Sequence, residues 1–69
     1  MDKQQLDSLR SILKAIVELR ANRLNATAFL LEERVMRAYP GATLATDPLT
    51  QEVTLWDDRG LIAGSEGYG

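Results

Sequence analysis

The chain has 69 residues, a formal net charge of −2, and neither cysteine nor histidine. A chain of this length forms one domain and buries only about 60% of the surface that its unfolded form exposes. Without Cys and His, a disulfide framework and the usual zinc sites are excluded, so we expect a single domain over residues 1–69 that holds no metal and no other cofactor.

Charge is unevenly distributed along the chain. Residues 1–39 carry seven basic and five acidic side chains, whereas residues 40–69 carry one basic and five acidic side chains. Because nucleic-acid binders normally show a dominant basic stripe, we predict no nucleic-acid partner. The chain has no apolar run of about 18 residues and no signal-peptide pattern at its start, so we expect a cytoplasmic protein without membrane insertion.

The first 39 residues contain neither Gly nor Pro and are rich in good helix formers. Asp2 followed by Gln5 is typical of a capping box at a helix start. Pro40 disfavours a helical conformation for Tyr39, and Gly41 has the permissive backbone that commonly follows a helix end. These signals predict one continuous helix over about residues 3–38, about 54 Å long.

A heptad pattern of apolar residues runs along this predicted helix. Its members are spaced alternately by four and three residues: Val17, Ala21, Leu24, Ala28, Leu31, Val35 and Ala38. A seam of this kind is typical of a helix that pairs with a second helix. A single core of this size rarely supplies more than about 3 to 5 kcal/mol, which also favours oligomerisation. We therefore predict a homodimer whose interface is formed by the first six residues of the seam.

A second interpretation of the same region breaks the helix in the polar stretch of residues 20–25. Asn25 or Thr27 would then cap a second helix, and the two helices would fold into a hairpin. This interpretation interrupts the seam, and the stretch offers no Gly or Pro to form the turn.

After Gly41 the composition becomes typical of strands. Residues 42–46 and 52–56 contain Thr, Val, Leu and Trp, and the segment between them begins with turn-forming residues. Residues 57–60 predict a second turn and residues 61–63 a third short strand, before a flexible tail over residues 64–69. The predicted fold class is α+β and predominantly helical: a long helix followed by an antiparallel hairpin or meander within residues 42–63.

The titratable residues do not predict catalysis. General acid–base chemistry needs a tuned group in a partly desolvated site, and a chain this short cannot easily enclose one. The neighbouring carboxylates Asp57 and Asp58, like Glu32 and Glu33, point in different directions and do not converge on one metal or proton. We therefore expect a protein that is not an enzyme.

Aromatic residues and arginines indicate where a partner would bind. Interface hot spots are enriched in Trp, Tyr and Arg. Tyr39 closes the predicted helix after Arg34 and Arg37, and Trp56 ends a predicted strand. We predict that Tyr39, Arg37, Arg34 and Trp56 bind a partner, with Tyr39 as the main contact, whereas Phe29 is assigned to the core and Tyr68 to the tail.

Residues 27–41, together with residues 53–58, resemble the small anti-quorum-sensing and superinfection-exclusion proteins of Mu-like temperate phages of Pseudomonas. The likeness extends over the full length of the chain and includes no catalytic or metal motif. It implies a dimeric, phage-encoded host-takeover protein in the host bacterial cytoplasm. It further implies that the protein binds and inhibits a LuxR-type quorum-sensing transcription regulator and the ATPase of type IV pilus assembly. The alternative from a different class is a small coiled-coil structural or assembly adaptor without an inhibitory role.

Overall fold

The structure, a computed structural model, describes residues 2–66. Two helices precede three strands: α1 (Lys3–Ala21), α2 (Asn25–Ala38), β1 (Thr43–Thr46), β2 (Val53–Asp57) and β3 (Gly60–Gly64). The strands form an antiparallel sheet in the order β1-β2-β3. The α+β class and the meander are thereby confirmed, but the single long helix is not.

The start of α1 follows the sequence prediction. The Asp2 carboxylate accepts a 2.8 Å hydrogen bond from the Gln5 backbone N–H, and the Gln5 side chain accepts one from the Asp2 N–H. This reciprocal capping box satisfies two backbone donors that a helix start leaves open.

The predicted continuous helix over residues 3–38 is wrong because α1 ends at Ala21 in a Schellman motif. The N–H of Leu24 donates to the C=O of Leu19 at 2.8 Å, and the N–H of Arg23 donates to the C=O of Arg20 at 3.0 Å. Arg23 has a φ of 61°, the left-handed conformation that glycine usually supplies at this position. Leu24 then occupies the N-cap of α2 without a side-chain cap, so neither Asn25 nor Thr27 plays the expected capping role.

The reversal between the helices is favoured because it buries apolar surface that a straight helix would expose. The core consists of residues from every element or its flanks: Leu9, Leu13, Ile16, Ala28, Val35, Ala42, Val53, Leu55 and Ala63. α1 lies against α2, β2 and β3, while α2 also contacts β1. Burying a Leu or Ile side chain contributes about 1.5 to 3 kcal/mol, so burial of Leu13 and Ile16 together exceeds the cost of about 1 to 2 kcal/mol for one left-handed residue.

The break also changes the role of the predicted dimer seam. Ala28 and Val35 are buried within the chain, and Val17 and Leu31 are partly buried against the same core. Of the six residues predicted to form the interface, only Ala21 and Leu24 remain exposed. The structure therefore does not support an interface formed by all six residues, because that interface needs the continuous helix.

The chain reverses again at the predicted boundary after α2. The Tyr39 N–H donates to the Val35 C=O at 3.0 Å, and the Ala42 N–H donates to the Tyr39 C=O at 3.1 Å. Gly41 has a φ of 89°, a conformation in which a residue with a side chain would be strained. This turn reverses the chain, so that β1 runs back along α2.

The sheet presents one face to the helices. Val53, Leu55 and Ala63 on this face are buried. β2 and β3 are joined by the predicted turn, where the Arg59 N–H donates to the Asp57 carboxylate at 2.8 Å. The predicted tail begins too early, since Gly64 pairs with Thr54 as the last residue of β3. Ser65 is also held in place, because its N–H donates to the Val53 C=O at 2.9 Å. Only residues 67–69 of the predicted tail, including Tyr68, lie outside the described residues.

Candidate protein-binding site

A cavity of about 330 Å³ lies between the first half of α1 and the last turns of α2, and we call it the α1–α2 cleft. The residues that line it come from the two helices and their caps: Asp2, Gln4, Gln5, Ser8, Leu9, Ile12, Arg34, Val35, Ala38 and Tyr39. Leu9 and Val35 are buried and form an apolar floor. The volume is at the lower end of the range for ligand pockets, about 300 to 1,000 Å³, and suits one or two protein side chains.

Two of the four residues predicted to bind a partner meet at this cleft. Tyr39 is half-buried at the C-terminal cap of α2, and Arg34 is exposed on the preceding turn. The Gly41 turn fixes the position of Tyr39 by ending the helix there. A phenol ring and a guanidinium beside an apolar floor provide the contacts that typically dominate protein interfaces.

Arg37 lies on a different surface, which we call the β1–α2 groove. The groove is lined by residues of both elements and by the last turn of α1: Arg20, Phe29, Glu32, Glu33, Met36, Arg37, Thr43, Leu44 and Thr46. The prediction that Phe29 belongs to the core is wrong, because its side chain here is 56% exposed. The helical period contained the signal: Phe29 and Met36 are seven residues apart, on one side of α2, and off the stripe formed by Ala28 and Val35.

Trp56 lies on a third surface, the face of the sheet that points away from the helices. It is 42% exposed, pairs with Thr43 and Leu61, and donates its indole N–H to the Thr54 hydroxyl at 2.8 Å. The four predicted contact residues are therefore divided among three surfaces, and only Tyr39 and Arg34 share one. The sequence pattern does not indicate Leu9 as part of this site, because it predicts one straight helix over the residues of α1 and α2.

The carboxylates of the described residues do not form a chemical centre. Within residues 2–66 no group of three or more acidic side chains is placed to hold a metal ion. The pKa of Glu52 is raised above its ordinary value, chiefly because its carboxyl hydrogen-bonds the Glu66 carboxyl, and repulsion from Glu66 and Asp47 adds to the effect. This pair lies at the strand ends, away from the α1–α2 cleft.

The Glu52 pair predicts a pH-dependent stability. Because folding raises the pKa of Glu52, the folded chain binds the carboxyl proton of Glu52 more tightly than the unfolded chain does. Protonation of Glu52 therefore stabilises the fold. This contribution is complete below the pKa of the unfolded carboxyl and is lost as pH rises through the pKa of the folded one. Glu52→Gln keeps a hydrogen-bonding group and removes one charge. We expect its thermal midpoint to exceed that of the wild type at pH 7 and the difference to disappear below about pH 4, where the glutamate carboxyl is protonated in both states. An equal difference at both pH values would contradict this assignment.

Comparison with known proteins gives no relative: no family model, no curated protein and no solved structure matches the chain. In the part of the chain that the structure describes, neither helix is long and apolar enough to cross a membrane. The fold and its surfaces thus define a small α+β domain with an apolar cleft beside Tyr39.

Proposed function

We propose that the protein is a non-catalytic inhibitor that binds a partner protein through the α1–α2 cleft. The observation that carries this proposal is the position of Tyr39 and Arg34 beside the apolar floor formed by Leu9 and Val35. An apolar side chain of the partner enters the cleft, the Tyr39 ring packs against it, and Arg34 pairs with an acidic group at the rim. Such a contact blocks a partner's surface without any bond-making step.

The resemblance described above supplies candidate partners. They are a LuxR-type quorum-sensing transcription regulator and the type IV pilus assembly ATPase, and the setting is the cytoplasm of a bacterial host infected by a phage that encodes the protein. Outside the cleft, residues 40–69 carry a net negative charge, which would complement the basic DNA-binding surface of the first of these partners next to the contact at the cleft. Complementary charge accelerates association and favours the intended partner over others.

Direct binding measurements test this function. Isothermal titration of the purified chain into a purified LuxR-type regulator, and separately into the pilus ATPase, should give a saturable complex with each. Arg34→Ala should weaken both complexes, whereas Arg59→Ala, the same substitution in the exposed β2–β3 turn, should not. The proposal fails if neither partner binds, or if the two variants weaken binding equally.

A homodimer also belongs to this proposal. Leu24 at the N-cap of α2 and Leu30 in its second turn support it, because they are 52% and 64% exposed. A chain this small gains stability by covering such side chains. Light scattering should give twice the chain mass at micromolar concentration. Leu24→Asp should shift the mass toward that of one chain, while Leu49→Asp at the tip of the β1–β2 loop should leave it unchanged. A wild-type mass of one chain, with full helicity, would contradict the dimer.

The coiled-coil adaptor, our alternative from the sequence, depends on a continuous apolar seam. α1 ends at Ala21, and Ala28 and Val35 of the seam are used in the core of the chain. The seam is therefore no longer available along its length, and the adaptor hypothesis has less support than binding at the cleft.

A further inference from the structure

β1 is an edge strand with an unpaired side, since β2 is its only neighbour in the sheet of residues 2–66. The direction of its free backbone groups follows from β2. Val53 exchanges two hydrogen bonds with Ser65, at 3.0 Å to the hydroxyl and 2.9 Å from the backbone N–H, so its own N–H and C=O point toward β3. Val53 and its cross-strand neighbour Thr46 therefore form a non-hydrogen-bonded pair. Because hydrogen-bonded and non-hydrogen-bonded pairs alternate along antiparallel strands, the N–H and C=O groups of Leu44 and Thr46 point to the open side of β1.

The β1–α2 groove runs alongside this open edge. Phe29 and Met36 extend from α2 on one side, and Leu44 faces them from β1. Phe29 is 56% exposed and Met36 is 36% exposed. An apolar side chain placed between them would be covered on both sides, while its backbone would lie within reach of Leu44 and Thr46.

The charges of the groove are unequally exposed at its two ends. At the Thr46 end, Arg20 donates to the Thr46 hydroxyl at 2.8 Å and pairs with Glu32, so its charge is already matched within the chain. At the Thr43 end, the Arg37 side chain is 84% exposed, and its contact with Glu33 is long, at 3.9 Å. Glu33 is 44% exposed, so the charges of the groove balance, but the Arg37 guanidinium is the most exposed of them. It is therefore the charged group best placed to pair with an acidic side chain of a ligand.

We propose that this groove binds an extended segment of a partner protein, which adds to β1 as a fourth strand. Main-chain hydrogen bonds to Leu44 and Thr46 require a strand, because the backbone groups inside a helix are already paired. The segment carries apolar residues at alternating positions, which enter between Phe29 and Met36, followed by an acidic residue beside Arg37. This surface is separate from the α1–α2 cleft, so the inference goes beyond the function proposed for that cleft.

The test uses a capped peptide of sequence Thr-Val-Thr-Leu-Thr-Glu, titrated into the full chain and followed by NMR. The amide signals of Leu44 and Thr46 should shift, and their hydrogen exchange should slow, because both N–H groups gain acceptors. The same peptide with methylated backbone nitrogens at alternate residues loses its donors and should bind about tenfold more weakly or worse. Equal binding of the methylated peptide would overturn strand addition.

Variants of the chain provide the second part of the test. Phe29→Asp should weaken the peptide about tenfold or more, while Leu49→Asp, outside the groove, should not. Arg37→Glu should weaken the Glu-containing peptide and bind better to a peptide that ends in Lys, a charge exchange that loss of folding cannot mimic. Shifts centred on Tyr39 and Arg34, no shifts at millimolar peptide, or a second copy of the chain occupying β1 would each overturn the proposal.

Discussion

Leu13→Ala should leave most of the protein unfolded at 25 °C. Leu13 is fully buried in the middle of α1, where it contributes to the only core of the described chain. A Leu→Ala substitution at such a site costs about 2 to 5 kcal/mol. A single core in a chain of this length supplies only about 3 to 5 kcal/mol in total, so the loss is comparable to the whole free energy of unfolding.

Urea unfolding followed by circular dichroism measures this effect. Leu49→Ala is the matched control, because Leu49 is 92% exposed in the β1–β2 loop and the same atoms are removed. We expect the control to change the free energy of unfolding by less than about 0.5 kcal/mol. A loss below about 1 kcal/mol for Leu13→Ala would mean that this core does not hold the domain together.

Tyr39→Ala should reduce partner affinity by about 2 kcal/mol or more, close to thirtyfold. The side chain is half-buried at the α1–α2 cleft, so its removal takes away ring surface that would pack against the partner. Binding to the LuxR-type regulator and to the pilus ATPase is measured by titration, at a temperature where circular dichroism shows that the variant is folded.

Tyr39→Phe separates the two contributions of this side chain. It keeps the ring and removes the hydroxyl, so most of the affinity should remain if packing in the cleft is the main contact. A folded Tyr39→Ala variant that binds normally would exclude Tyr39 from the site. The partner would then have to bind at Trp56 on the outer sheet face or at Arg37 in the β1–α2 groove.

The parts of the fold that the sequence predicted correctly depend on local chemistry. The Asp2 capping box, the helix end before Pro40, the strands and their turns are each determined by a few neighbouring residues. Such signals act over short distances, and residues placed elsewhere in the fold change them little.

The break between the helices, which was the second interpretation of residues 20–25, is confirmed, but local signals did not favour it over the continuous helix. Arg23 adopts a left-handed φ that costs a non-glycine residue about 1 to 2 kcal/mol, and no Gly marks the turn. The compensation comes from Leu13, Ile16 and Val35, which are buried only once α2 folds back and the sheet covers α1. This compensation is tertiary, so helix propensity alone favoured the continuous helix.

Only part of the candidate site could be predicted from the sequence. Tyr39 and Arg34 were identified by residue type and by their position near the helix end, and they do share one cleft. Its other wall comes from the start of α1, about 30 residues away in the sequence, and becomes adjacent only through the reversal at Arg23. The exposure of Phe29 was missed for the same reason, because the direction in which α2 packs determines which side of it stays open.

The contact between α1 and β3 joins the first and last elements of the described chain. During synthesis on the ribosome, α1 and α2 can pair early, but the stripe of Leu9, Leu13 and Ile16 stays incompletely covered until residues 60–64 have left the exit tunnel. The domain is therefore complete only after its last strand has emerged. Until then, the newly made chain presents an apolar surface that chaperones recognise.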